Sequence, residues 1–574
     1  MADPLLMLEE RVAAAIPAAL GDDFAGSDPV VRRSTNPSFG DYQANAAMAL
    51  GKRAGRPPRE VAQAIVEHLQ VDDLCVKVEV AGPGFINLTL REDALEEMTE
   101  ALLDDRRLGV MTAGASDTVV IDYSSPNVAR EMHVGHLRST VIGDSLARTL
   151  EFLGHNVIRQ NHFGDWGTQF GMLIEHLVDE GWTPEGDHRI ADLNALYQAA
   201  NQRFKDDDAF AERARRRVVS LQSGDEATGA LWRALVQESA RHFEQVYARL
   251  GVTLRADDIR GESFYNDRLN VVADELEERG LARIDDGALC AFPAGFTNRD
   301  GDPLPLIVRK ADGGFGYAAT DLAAIRFRSV DLSADEIVYV VDARQGQHFA
   351  MIFAVAKEAG WLPPDVRAEH VAFGMILGTD GKPFRTRSGE TVKLVDLLDE
   401  AEERASAVVA EKNPELSDEE RAAVARTIGV GAVKYSDLSN DRVKDYVFDW
   451  DRMLAFEGNT APYLQYAHAR ICSIFRRAEG AGAGSSIVLG QDAERELALQ
   501  LLSLPSVVVA AAEHLQPHRL CTYLYETASA FTTFYEKCSV LRAETDELRS
   551  SRLALCELTA RTLALGLSLL GIEA

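Results

Sequence analysis

TVVIDYSSPNVAREMHVGHLRST, residues 118–140, decides the fold of this chain. Its first six residues are a short, nearly continuous β-branched run, as expected of a buried strand. A loop, SSPNVAREM, follows, and an amphipathic pattern from His136 to about Gly154 predicts a helix. Strand, loop and helix in that order open a nucleotide-binding α/β domain, in which the positive end of the helix dipole faces the ligand. His133 and His136 lie three apart at that helix start, so both imidazoles can face one bound group, and phosphate is the natural occupant. Gly135 between them removes a side chain that would block a base or ribose. A metal pair or a plain helix cap would use the same two histidines, although no third ligand follows at metal spacing.

Working outward, NVIRQN (156–161), a helix over 169–179, LIVRK (306–310), EIVYVV (336–341) and HVAFGMIL (370–377) continue the alternation. Strands alternating with helices predict an α/β domain with a doubly wound parallel sheet. Charged helical sequence from about 184 to 295 reads as an insertion, and beyond Leu394 the chain looks helical, with GAGAGSS (480–486) as its clearest loop. Residues 1–110 form a small α/β unit: a helix from Leu5, a second over Tyr42–Ala54, a third opened by Pro57-Pro58, strands CVKVEV and FINLTL, and a long helix over Glu92–Arg107. The expected division is 1–110, 111–400, a helical connector over 401–452, and a helical unit over 453–574.

The chain has 574 residues, too many for one hydrophobic core, and 46% hydrophobic residues exclude wholesale disorder. Its formal charge of -30 argues, as a sum, against a polyanionic partner. Locally the balance reverses, at Arg130 with Arg138, at Lys382 to Arg387, and at Arg470 with Arg476 and Arg477. With 11 lysines against 49 arginines, the acidic, lysine-poor composition suits a protein kept soluble in high salt. Six scattered cysteines without a Cys-x-x-Cys predict a reducing compartment and no structural zinc. No run of 18 apolar residues predicts a membrane span, so a soluble cytoplasmic protein is expected.

Three further strings carry chemistry. In NHFGDWGTQFG (161–171), Gly164 and Gly167 flank Asp165 and Trp166, a turn that lets backbone approach a ligand or simply joins a strand to a helix. In YAATD, Tyr317 and Asp321 fall on one helical face, where a carboxylate and a phenol can receive a guanidinium; an exposed helix would show the same spacing. In GTDGKPFRTRSGE, Lys382, Arg385 and Arg387 share a glycine-containing loop that could grip a leaving pyrophosphate or could be solvated surface. Phe85 and Asn87 alternate on one strand face, a stacking plane beside an amide or a piece of core.

HVGH after SSPN, with NPSFGDYQ, GPGFINL, NHFGDWGTQFG, YAATDLA, VVDARQGQHF, GMILGTDGKPFRTRSG and NTAPYLQYAHAR, resembles the arginyl-tRNA synthetases of class I over nearly the whole chain. The acidic, lysine-poor composition suggests a halophilic archaeal member, and the resemblance implies a Rossmann-type catalytic domain between an N-terminal D-loop-binding α/β domain and an all-α anticodon-binding bundle. It implies a monomer that activates L-arginine with ATP and Mg2+ to arginyl-adenylate and transfers arginyl to the terminal adenosine 2′-hydroxyl of tRNA(Arg). By the same resemblance Arg130, His133, His136, Lys382, Arg385 and Arg387 are catalytic, and Ser124, Asn127, Asn161, Tyr317, Asp321 and Gln345 bind arginine. Gly135, Gly164, Asp165 and Gln169 join the two histidines around ATP, while Phe85, Asn87, Tyr463, Tyr466 and Arg470 meet tRNA. Arg130 and Arg387 stand where the family often carries lysine, exchanging a point charge for a planar fork. A nucleotidyltransferase of another kind, or an RNA-binding paralogue without activity, would share part of this pattern; the helical tail and the complete set of site strings distinguish them.

Overall fold

The computed structural model describes residues 3–183, 190, 192–385, 391–478 and 484–574. At its centre lies a four-stranded parallel sheet in the order Arg367–His370, Glu336–Tyr339, Thr118–Asp122, Asn156–Gln160. The chain runs from Thr118–Asp122 outward to Asn156–Gln160 and then crosses back to Glu336–Tyr339. The strand order therefore reverses beside Asp122, and a crevice opens at the carboxyl ends of the two central strands, where ligands of such sheets bind. Helix Val134–Phe152 makes the first return and is buried over most of its length. Gly143 lets it lie on the sheet, because a Cβ there would stand 2.3 Å from the Tyr123 side chain.

Several expectations change. LIVRK is a strand, Leu306–Arg309, but it belongs to a separate antiparallel sheet with Ala282–Asp285 and Ala288–Ala291. Ile307 is 48% exposed between buried Leu306 and Val308, the alternation of a one-sided sheet. HVAFGMIL is mostly irregular: the outer strand is Arg367–His370, and Gly374 then donates its N–H to Arg442 O, drawing the chain away to pair Ile376–Leu377 with Tyr446–Val447. In the N-terminal unit Tyr42–Ala44 is a strand, not helix, because Tyr42 and Ala44 alternate into the core while pairing with Phe85–Leu90; the helix is Ala47–Ala54. The long helix stops at Asp104. Arg138 is no part of a basic surface: it is 1% exposed and pairs with buried Asp437 at 3.3 Å.

The insertion holds helices Leu193–Asp206, Asp208–Gln222 and Glu226–Leu250; its expected start at Pro184, and most of the 480–486 loop, lie outside the described residues. Five helices, Ala461–Arg477, Asp492–Leu502, Leu504–Glu513, His518–Lys537 and Asp546–Leu569, form the C-terminal bundle. The N-terminal unit docks on it through a forked Arg495–Asp41 pair at 2.6 and 2.9 Å, and through Glu96 and Glu100, which accept from Leu489 N and Ile487 N.

Two glycine substitutions test this packing. Gly143→Ala should lower stability by about 1–3 kcal/mol, because helix and strand must part. Gly229→Ala, in the first turn of helix Glu226–Leu250 with only the tip of Arg233 nearby at 3.4 Å, should be neutral or stabilising by up to about 1 kcal/mol. Denaturant midpoints that rank the two the other way would contradict the close approach.

Candidate active site

The loop after Thr118–Asp122 is bent tightly, with Ser124, Ser125 and Ala129 all left-handed at φ 71°, 48° and 60°. Such non-glycine backbone costs roughly 1–3 kcal/mol per residue and persists only where surrounding bonds dictate it. Those bonds are present. Ser124 N donates to Ser139 Oγ at 2.9 Å, and Thr140 Oγ1 donates to Ser124 Oγ at 2.9 Å. Ser124 Oγ also meets Tyr247 Oη at 2.8 Å, and Asn161 Nδ2 donates to the same phenol oxygen at 3.0 Å. Asn161 Oδ1 in turn accepts from Ser125 N at 2.9 Å. Ser124 and Asn161, expected to touch substrate, are thus buried behind the loop and hold it, while Ser125 lines the crevice.

That crevice is a cavity of about 450 Å³ that brings together Asn127, Tyr317, Asp321 and Gln345 of the expected set. Helix Tyr317–Arg326 carries Tyr317 and Asp321, and Gln345 precedes helix Gly346–Glu358. Gly164 faces Asn127, whose Oδ1 would stand 2.2 Å from any Cβ at that position. Three acids also line the cavity. Asp122 is spent: buried Arg328 donates to its Oδ2 at 2.7 Å and to Gln160 Oε1 at 2.7 Å. Arg328 sits on the π-helical turn Phe327–Asp331 that continues the Tyr317 helix. Asp321 and Glu262 remain. Burial, reinforced by Asp165 and Asp321, pushes the Glu262 carboxyl up to about 8. His348 Nε2 stands 2.6 Å from Asp321 Oδ2.

Glu262 has no motif around it and falls inside the stretch read as insertion, so local sequence did not reveal it. The structure places it by way of Asp165, whose carboxylate accepts from Ser263 N at 2.8 Å and Ser263 Oγ at 2.7 Å. Asp165 is 3% exposed and fixes the 261–263 turn. Gln169 starts helix Gln169–Asp179 and donates to Trp166 O at 3.3 Å, closing the turn. Two carboxylates, a phenol and two amides around one cavity suit a planar cation with several N–H donors.

The start of helix Val134–Phe152 is built for anions. His133 caps helix Val134–Phe152, and its Nδ1 accepts from Gly135 N at 3.0 Å; His136 Nδ1 accepts from His133 N at 3.1 Å. Both rings are therefore held with the proton on Nε2, as neutral donors at a helix N-terminus. Burial drives His136 down to about 3, helped by His133 and Arg130, and burial then Arg130 lower His133. Arg130 lies over the Tyr197 ring at 4.2 Å and donates to its hydroxyl. The segment beyond the basic loop pairs with the chain around His133, since Val134 N donates to Val392 O and Leu394 N to Met132 O. Lys382 and Arg385 line a second cavity of about 770 Å³ with Arg404 and Trp450; Arg387 lies outside the described residues.

Farther out, half-buried Phe85 and buried Asn87 share a face of strand Phe85–Leu90, and Asn87 Oδ1 accepts from Gln43 Nε2 at 2.8 Å. On helix Ala461–Arg477, Tyr466 is 54% exposed, Tyr463 packs by Tyr525, and Arg470 lies 4.3 Å over the Tyr535 ring.

Three family models match the chain: the arginyl tRNA synthetase N terminal domain over 6–90, the class I (R) tRNA synthetase catalytic domain over 97–450, and the DALR anticodon binding domain over 464–574. An arginine–tRNA ligase of Thermobifida fusca is 56% identical, covering 100% of this chain and 99% of that protein. One of Laribacter hongkongensis is 50% identical, covering 99% and 98%. The crystal structure of arginyl-tRNA synthetase from Plasmodium falciparum superposes with a TM-score of 0.84 at 31% identity, covering 99% of this chain and 98% of that one. The arginyl-tRNA synthetase of Thermus thermophilus does so at 0.83 and 28%, covering 99% of each.

The raised carboxyl of Glu262 has a consequence for the ligand-free protein. A group that holds its proton more tightly when folded contributes stability below the ordinary carboxylate range, and that contribution is lost as pH rises through about 8. Stability should fall between pH 5 and 8.5, and Glu262→Gln should flatten that slope. Identical denaturation profiles for the two proteins across this range would contradict the placement of Glu262.

Proposed function

This chain belongs to the class I arginyl-tRNA synthetases, and on that premise we propose which of its residues carry arginine–tRNA ligation and how. The observation that carries the assignment is the pair of acids, Asp321 and Glu262, in a cavity shared with Tyr317, Asn127 and Gln345. Asp321 receives the substrate guanidinium as a charge-assisted fork, and the approaching cation draws the proton off Glu262. Ser125 and Asn127 face the same space, with Ser124, Asn161 and Tyr247 behind them.

A carboxylate oxygen of arginine attacks the α-phosphorus of ATP, the bond to the β-phosphate breaks, and arginyl-adenylate and pyrophosphate result. Negative charge gathers on phosphoryl oxygens in that step, so positioning and electrostatic stabilisation suffice and no general base is needed. His133 and His136 offer their Nε2–H donors, Gly135 leaves room beside them, and Arg130, Lys382, Arg385 and Arg387 neutralise the departing pyrophosphate. Gly164, Asp165 and Gln169 act through the shape of the turn beside the nucleotide. Mg2+ enters with ATP as part of the substrate: among the described residues no three His, Cys, Asp or Glu side chains gather to hold a metal, and a phosphate-bound Mg2+ keeps most of its waters.

The 2′-hydroxyl of the terminal tRNA adenosine then attacks the adenylate carbonyl and AMP leaves. We place the tRNA D-loop on residues 1–110 at Phe85 and Asn87, and the anticodon stem on 453–574 at Tyr463, Tyr466 and Arg470, with 111–400 catalytic and 401–452 connecting. One soluble cytoplasmic chain carries all these parts, so a monomer suffices. The acidic, lysine-poor surface supports recognition through short-range stacking and hydrogen bonds when salt screens long-range repulsion.

The test is arginine-dependent pyrophosphate exchange, with and without tRNA(Arg), across a salt series. Exchange should require tRNA and arginine, persist into molar salt, and lose roughly ten- to hundredfold in kcat/KM for arginine in Asp321→Asn, from a charge-assisted bond worth about 1.5–3 kcal/mol. No exchange with tRNA at any salt would defeat the activity; a steep loss from low salt upward would defeat the salt reading.

A further inference from the structure

His348 stands outside the residues assigned above, yet it makes the closest polar contact to the key acid. It lies in the first turn of helix Gly346–Glu358, opposite helix Tyr317–Arg326, and brings Nε2 to 2.6 Å from Asp321 Oδ2. The side chains are 27% and 19% exposed, so the bond lies within the cavity wall. The next residue, Phe349, is buried beside Tyr339 and His370, with ring centroids at 4.8 and 5.2 Å, which anchors that turn of the helix. The contact joins the two helices that wall the cavity.

A carboxylate offers a good fork only when both oxygens lie in the plane of the incoming guanidinium, and a freely turning one loses rotational freedom on binding. A donor fixed on one oxygen removes that loss beforehand. An ionised Asp321 has only acceptors, so the proton of this bond belongs to His348 Nε2. Among the described residues Oδ1 stays open, as does a second lone pair on Oδ2.

We propose that His348 is a positioning residue for arginine: it holds the Asp321 carboxylate in its fork-ready orientation through the Nε2–H to Oδ2 bond. The proposal rests on Asp321 being the guanidinium acceptor. His348→Ala should raise KM for arginine about tenfold while kcat and the KM for ATP and for tRNA stay near wild type. His348→Gln, whose amide can donate to the same oxygen, should recover most of the loss. A purely structural role would move all the constants together, and thermal denaturation of both variants checks folding. An unchanged or lowered KM for arginine in His348→Ala, failure of Gln to recover it, or a parallel loss in kcat and KM for ATP would overturn the proposal. Asp321→Asn, measured alongside, separates the failures: if it too leaves arginine untouched, the pocket assignment falls, and if it alone loses arginine, only the role of His348 does.

Discussion

The buried hydroxyl of Tyr247 is the point on which the site turns. It sits at the junction of Ser124 and Asn161, and through them it stabilises consecutive left-handed residues that no glycine relieves. Ser139 and Thr140, on the returning helix, grip Ser124 from the other side. The loop is therefore clamped between the Rossmann-type helix and the inserted helix Glu226–Leu250, which makes the insertion part of the catalytic architecture. With the clamp in place Ser125 and Asn127 face the crevice, and His133 follows in position to cap its helix. The strain in the loop is offset by a network whose members are buried and mutually bonded, the condition under which such backbone persists.

Charge is sorted along the crevice by the same economy of partners. At one end Arg328 cancels Asp122 from beneath, leaving Asp321 and Glu262 to meet a cation. At the other, two histidines are kept neutral and tautomerically fixed by backbone N–H groups, so they can approach phosphate as donors without the cost of a buried positive charge. Positive charge is left to Arg130, held over the Tyr197 ring, and to Lys382 and Arg385 of the basic loop. The acid-lined cavity and the histidine-capped helix start thus present opposite electrostatic environments.

Much of this was legible in the sequence, and the exceptions share a cause. The strand, loop and helix over 118–152, the helix Gln169–Asp179 and the helical tail follow from local periodicity, and Asn127, Tyr317, Asp321 and Gln345 do converge on one cavity. What local pattern cannot reveal is the partner and direction of a side chain. LIVRK reads as a strand but not as a strand of which sheet. Tyr42–Ala44 pairs with Phe85–Leu90, a neighbour some forty residues away, and that pairing overrides the helical pattern. Ser124, Asn161 and Asp165 sit beside the crevice in sequence yet turn into the wall, where they hold Ser125 and Glu262. Arg138 carries charge that composition counts as surface, but it is buried against Asp437. Glu262 itself is brought in from more than fifty residues before Asp321, with no spacing rule to announce it.

The central claim is that a cationic side chain binds against two carboxylates, one of which keeps its proton until the cation arrives. Calorimetric titration of arginine into the protein near pH 7, repeated in buffers of different ionisation enthalpy, counts that proton directly. The account predicts a net release approaching one proton per arginine bound, absent in Glu262→Gln. Binding of arginine with no proton released, or with proton uptake, would contradict it.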